Sequence, residues 1–139
     1  TDEQICGING VSGSVYCSVE SEISQNLGNL QSLADQKGMA FAGALALTGG
    51  KHHMCVLNDK SELYCWGSNE FGQLGIPKPL HSNIPQRVNI NNESHRKVAR
   101  MSAGDSHTCF TTDTDLSIYC FGKSFFNEGN SSTPIEYPL

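Results

Sequence analysis

The sequence predicts an all-β fold: about three four-stranded propeller blades, each stapled by its own internal disulfide, forming part of a larger propeller or one completed by oligomerisation. Three observations predict it: six cysteines in three matched close pairs, a motif that returns about every fifty residues, and short alternating apolar runs broken by single glycines and polar turns.

The cysteines stand at positions 6, 17, 55, 65, 109 and 120, with ten, nine and ten residues between close partners. Six cysteines allow 15 connectivities. Only the pairing of near neighbours, Cys6 with Cys17, Cys55 with Cys65 and Cys109 with Cys120, respects the repetition. If Cys55 and Cys65 oppose one another across two antiparallel strands, Val56 faces Tyr64, Leu57 faces Leu63, and the turn falls on the polar Asp59-Lys60-Ser61. The same folding puts the other turns at Val11-Ser12 and Thr114-Asp115. Opposed strand residues are about 4.5 to 5.5 Å apart at Cα, a separation that a disulfide accepts. Zinc, the rival use of paired cysteines, wants partners two to four residues apart so that one tight turn presents both sulfurs. No metal is expected. Disulfides imply an oxidising compartment, secreted or extracellular.

Aligning the cysteines exposes the repeat. Thr48-Gly-Gly-Lys-His-His-Met-Cys55 answers Ser102-Ala-Gly-Asp-Ser-His-Thr-Cys109, Leu63-Tyr-Cys-Trp-Gly67 answers Ile118-Tyr-Cys-Phe-Gly122, and Leu45-Ala-Leu47 answers Ala99-Arg-Met101. The first unit keeps only Tyr16-Cys17, and residues 18–36 have no counterpart, leaving a short helix or an irregular blade edge open there. The units divide the chain at about 1–40, 41–95 and 96–139 of one repeat domain. A unit of three or four short strands cannot bury both its faces alone and has to stack on neighbours.

The middle unit, Gly49-Gly-Lys-His-His53 and its hairpin, then Trp66-Gly-Ser-Asn-Glu-Phe-Gly-Gln-Leu-Gly75, then Ile84-Pro-Gln-Arg87, closely resembles the repeat of the regulator-of-chromosome-condensation family. The third departs from that pattern at Phe121-Gly-Lys-Ser-Phe-Phe-Asn-Glu128. With cysteines on both hairpin strands, the chain is closest in style to the extracellular propellers of Crinkly-type plant receptor kinases. The resemblance implies a secreted or extracellular binding module that recognises a protein or peptide. The alternative is a free-standing soluble inhibitor or a carbohydrate-binding lectin of the same repeat family. The nuclear regulator is a poorer match, since its exchange activity on chromatin belongs to a reducing, polyanionic setting. A propeller of this family usually has seven blades, so three units imply either the remainder of a longer chain or a homo-oligomer. The chain opens at Thr1 rather than Met and within a blade, reading as a mature or excised product, and Thr133–Leu139 reads as the strand that opens the next blade.

Bulk properties narrow the partners. With 9 basic against 14 acidic residues and a net charge of −5, there is no basic stripe to neutralise a phosphate backbone, and nucleic acid is not an expected partner. The longest nearly apolar run, Met39 to Leu47, is nine residues, about half the roughly 20 that cross a bilayer. No membrane span is expected in this chain.

His53 and His107 occupy one repeat position and read as packing residues whose imidazoles bond a neighbouring backbone, and Trp66 and Phe121 read as wedges between blades. Asn69, Gly72 and Gly75 read as turn formers. The candidate binding residues are His52, which points to the opposite face of its strand from His53, together with Asn69, Phe71, Phe125 and Phe126 in the loops. Asn92-Glu-Ser94 and Asn130-Ser-Ser132 are candidate glycosylation sequons at Asn92 and Asn130. Asp105, Ser106 and His107 are adjacent, and neighbours on a strand point to opposite faces, so they do not make a triad. No catalytic residues and no cofactor are expected.

Overall fold

Each pair of cysteines closes a hairpin, and in the two four-stranded sheets that hairpin is the central pair of strands. The computed structural model describes residues 5–18, 30–88, 90, 97–113, 117–123 and 130–138. The first sheet is β1 (Cys6–Ile8), β2 (Val15–Ser18) and β3 (Leu30–Ser32). The second is β4 (Ala44–Gly49), β5 (His53–Asn58), β6 (Leu63–Ser68) and β7 (His81–Arg87). The third is β8 (Val98–Ala103), β9 (His107–Thr112), β10 (Ser117–Gly122) and β11 (Ser131–Pro138). Strands follow one another in space as in sequence, and every pair is antiparallel.

The registers set Cys6 opposite Cys17, Cys55 opposite Cys65 and Cys109 opposite Cys120. All three pairs are bonded, with S–S distances of 2.12, 2.13 and 2.12 Å. Val56 faces Tyr64 and Leu57 faces Leu63. The turn between β5 and β6 is built by Asn58, whose Oδ1 accepts from the backbone of Lys60 and Glu62 at 3.1 and 2.9 Å, while Ser61 adopts φ 61°. Thr114 and Asp115, the expected turn of the third hairpin, lie outside the described residues. Closing loops of this length stabilises by about 2 to 3 kcal/mol each in the chain-entropy account.

Two strands differ from expectation. The first sheet has three strands among the described residues, the equivalents of β5 to β7. The C-terminal strand does not open a further blade: β11 pairs with β10, Cys120 opposite Ile135 and Tyr119 opposite Glu136, and completes the third sheet. Its pattern of alternating Ile135 and Tyr137 is that of any half-buried strand, and its membership is decided by hydrogen bonds to β10, which sequence does not display. β11 is the counterpart of β7, and Pro134 stands where Pro85 stands. Among the described residues both strands have a single sheet neighbour. A proline there removes an N–H from the open edge and discourages pairing with another chain.

Alternation along β5 explains the stacking. Met54 and Val56 point into a core shared with the first sheet, where Val15, Cys17, Leu33, Phe41 and Trp66 meet. Cys55 and Leu57 point the other way, into a core with Phe110, Tyr119 and Phe121 of the third sheet. The middle sheet is thus covered on both faces, and every residue of β5 is buried. Trp66 and Phe121 are the wedges, 4% and 2% exposed. Phe110 stacks on Tyr119 with centroids 5.2 Å apart. A fully buried side chain of this kind contributes about 1.5 to 3 kcal/mol. β4 approaches both β1 and β8, so these three strands form the inner rim of the stack and β7 and β11 lie on the outside.

Candidate functional site

Two tight turns, β4–β5 and β8–β9, sit side by side at one end of the stack. In the first, Gly50 N donates to His53 O at 2.9 Å; in the second, Gly104 N donates to His107 O at 3.0 Å. Lys51 N donates to Asp105 O at 2.9 Å and ties one turn to the other. The backbones approach so closely that a Cβ on Gly50 would collide with Gly104 O and with the His53 ring, and a Cβ on Gly104 would collide with the His107 ring. The Gly-x-x-His spacing of the repeat therefore has a steric cause: the imidazole occupies the space that a side chain on the glycine would need.

A second repeated contact fixes these turns to the hairpin ends. Ser68 N donates to His52 O at 2.8 Å, and Lys123 N donates to Ser106 O at 2.9 Å. Gly67 and Gly122 make this possible with φ of 110° and 101°, a region that side chains rarely adopt. The outcome is a rigid backbone carrying the exposed side chains of Lys51, His52 and Asp105.

Beneath the turns lies a polar junction between sheets. His53, 0% exposed, places Nε2 2.9 Å from Thr108 Oγ1. The Thr108 hydroxyl in turn donates to Gln73 O at 3.3 Å. A hydroxyl that gives its proton to a carbonyl must accept from the imidazole, so Nε2 of His53 carries a proton, and Nδ1 has no hydrogen-bond partner among the described residues. Burial, and then the neighbouring His107 charge, push the His53 pKa down from 6.5 to about 4. Burial also lowers the pKa of His107, opposed by Asp105.

The loop between β6 and β7 borders the same end. Asn69 is buried, and its side chain holds the loop from inside: Nδ2 donates to Ile76 O and Pro79 O, both at 2.8 Å, and Oδ1 accepts from Leu74 N at 3.0 Å. Gly72 and Gly75 take positive φ, as turn formers should. Phe71 is half-buried, its N–H donates to Gln73 Oε1 at 2.8 Å, and Lys123 Nζ lies 5.4 Å from the centre of its ring. Beside His52 opens a cleft of about 920 Å³ between the first and second sheets, lined by Lys51, Trp66, Ser68, Glu70 and His81 among others.

The sequence candidates fall as follows. His52 is exposed at the tip of its turn and Phe71 is half-buried in its loop, both at this end of the stack. Asn69 is in the same loop with its polar atoms turned inward rather than offered to solvent. Phe125, Phe126 and Asn92 lie outside the described residues. Asn130 is exposed, immediately before β11. Lys51, Gln73 and Thr108 were not singled out from sequence, and Asp105 only as a neighbour of Ser106 and His107, because what joins them is contact between sheets.

Residues 60–111 match the profile of the "Regulator of chromosome condensation (RCC1) repeat", and residues 45–73 match a second profile of the same repeat. Residues 45–111 are built of RCC1-type β-propeller repeats. Human Alsin is 33% identical over 88 residues, 61% of this chain and 5% of Alsin. Among solved structures, Prp20p of Saccharomyces cerevisiae aligns with a TM-score of 0.71 at 17% identity, over 99% of this chain and 36% of that one. The ectodomain of the Physcomitrella patens receptor kinase CR4 aligns with a TM-score of 0.57 at 19% identity, over 98% of this chain and 32% of that one. At such identities the two structures show the propeller fold. The RCC1-type repeats here span about a third of those propellers, and a small part of Alsin.

Proposed function

We propose that these RCC1-type repeats form an extracellular, non-enzymatic module that binds a protein or peptide across the end of the stack carrying Lys51, His52, Phe71 and Asp105. The observation that carries this reading is the backbone bond from Lys51 to Asp105. It fixes the backbone that carries a cation, an imidazole and a carboxylate side by side in solvent, so a partner orders side chains but not the turns beneath them. Phe71 adds apolar area next to them, the kind of residue that anchors interfaces. Binding of proteins has precedent in the fold: the Prp20p structure is described with its binding to Gsp1p and histones. The compartment is supported by three bonded cysteine pairs with no free cysteine, and by likeness to a receptor-kinase ectodomain. The module works within a larger ring, supplied by further chain or by a second copy.

The test uses the chain secreted with its disulfides intact. Peptides selected on it by display are titrated by calorimetry against Lys51→Ala, His52→Ala and Phe71→Ala, with Lys60→Ala at the opposite end as control. Loss of affinity of about tenfold or more in the first group, with the control unchanged, is expected, since interface hot spots cost more than about 1 to 2 kcal/mol. Selected peptides insensitive to all three changes would place binding elsewhere.

A further inference from the structure

We infer that Asn130 is an N-glycosylation site at the outer edge of the third sheet, at the same end of the stack as the paired turns. The inference rests on the extracellular reading above. Asn130-Ser131-Ser132 satisfies the acceptor pattern, with serine rather than proline in the middle and a threonine, Thr133, next. Asn130 is exposed, and it directly precedes β11, which has one sheet neighbour among the described residues.

The backbone around the sequon is held firmly. Ser131 pairs with Gly122 of β10, and its Oγ donates to Thr133 O at 2.6 Å. On its other flank Ser131 O lies where a Cβ on Gly72 would stand 2.5 Å away, so the β6–β7 loop is packed against the first residue of the strand. Asn130 thus sits at the margin of a rigid junction between the second and third sheets. A sugar there stands beside the β6–β7 loop that carries Phe71, on the outer flank of the proposed binding end. The turn bearing Asp105 joins β8 and β9, with β9 two strands inward from β11 in the same sheet, and the turn bearing His52 joins β4 and β5 of the second sheet.

The chemistry is a transfer from a lipid-linked oligosaccharide pyrophosphate. The Asn130 amide nitrogen bonds to the anomeric carbon of the first sugar, the bond from that carbon to the pyrophosphate oxygen breaks with its electron pair leaving on the lipid pyrophosphate, and one amide proton is released. The Ser132 hydroxyl is the third element of the acceptor.

The experiment expresses the full chain in a eukaryotic secretory host, releases glycans enzymatically in heavy-oxygen water, and maps peptides without reduction. Label at Asn130 in secreted protein with three disulfides is expected, and its disappearance in both Asn130→Gln and Ser132→Ala. Secreted, fully disulfide-bonded protein with Asn130 unlabelled overturns the site while leaving the compartment reading intact. A chain retained in the cell with free thiols sinks the compartment reading and the site with it.

Discussion

His53 of the second sheet and Thr108 of the third meet at 2.9 Å in a place that water does not reach. The contact joins residues 55 apart in sequence. It links the two turns that carry the proposed binding residues to the core beneath them. Thr108→Val keeps the shape and removes the hydroxyl, leaving the imidazole N–H and the Gln73 carbonyl without this partner. A loss of about 2 kcal/mol is expected, read as a lower urea midpoint, with Thr108→Ser recovering most of it. A neutral Thr108→Val variant would show that this junction does not hold the sheets together.

The same junction makes stability depend on acid. The folded pKa of His53 is about 4 and the unfolded value is 6.5, so between those limits the unfolded chain holds the proton that the folded chain does not. Stability contributed by neutral His53 is therefore complete above about pH 6.5 and is lost as the pH falls toward 4, a difference of about 3 kcal/mol over the window. His107 is shifted in the same direction and adds to the slope. Unfolding midpoints measured from pH 7.5 to 4 should fall, and His53→Gln should flatten the curve. A wild-type curve that is level, or a His53→Gln curve of equal slope, would assign the acid sensitivity to other groups.

Reduction should proceed in an order set by burial. Cys55 and Cys65 are 0% exposed because the third sheet covers them, whereas Cys109 and Cys120 are half-buried on the face of the third sheet turned away from the second. A thiolate must reach a sulfur to open the bond, so access governs the rate. Mild reductant followed by alkylation and mass spectrometry should find Cys109–Cys120 open before Cys55–Cys65. Equal rates would mean that the second and third sheets separate readily in solution.

What could be read from sequence was what repeats locally. The registers of the hairpins followed from cysteine spacing and a period of two, and the loop ending at Gly75 followed from glycines that need positive φ. The placement of β11 did not follow, because Pro134, Ile135 and Tyr137 suit a strand in any sheet and only pairing with Cys120 and Tyr119 decides which. The His53–Thr108 junction left a faint trace. Thr108 occupies the position that Met54 occupies one unit earlier, and the residue two before Cys6, where His53 and His107 stand in their units, is Gln4. A polar residue thus replaces Met where the preceding unit carries a histidine. That exchange is visible in the alignment of the repeats, but its meaning needs the knowledge that β9 faces β5.

Asn69 separates a residue that binds from one that builds. Its amide makes three hydrogen bonds within its own loop, two to carbonyls and one from Leu74 N. Asn69→Ala strands all three partners, and a loss of about 3 kcal/mol in unfolding free energy is expected, with faster proteolysis within residues 69–80. Asn69→Asp keeps the acceptor for Leu74 but sets a buried carboxylate oxygen against the carbonyls of Ile76 and Pro79, so at neutral pH it should cost at least as much as Asn69→Ala. His52→Ala, at the exposed tip of the neighbouring turn, should leave stability within about 0.5 kcal/mol and change affinity instead. The paired measurements decide between roles: if Asn69→Ala lowered affinity with no change in unfolding or proteolysis, its side chain would have to leave the loop interior to meet the partner, and the rigid loop described here would not be the binding-competent form.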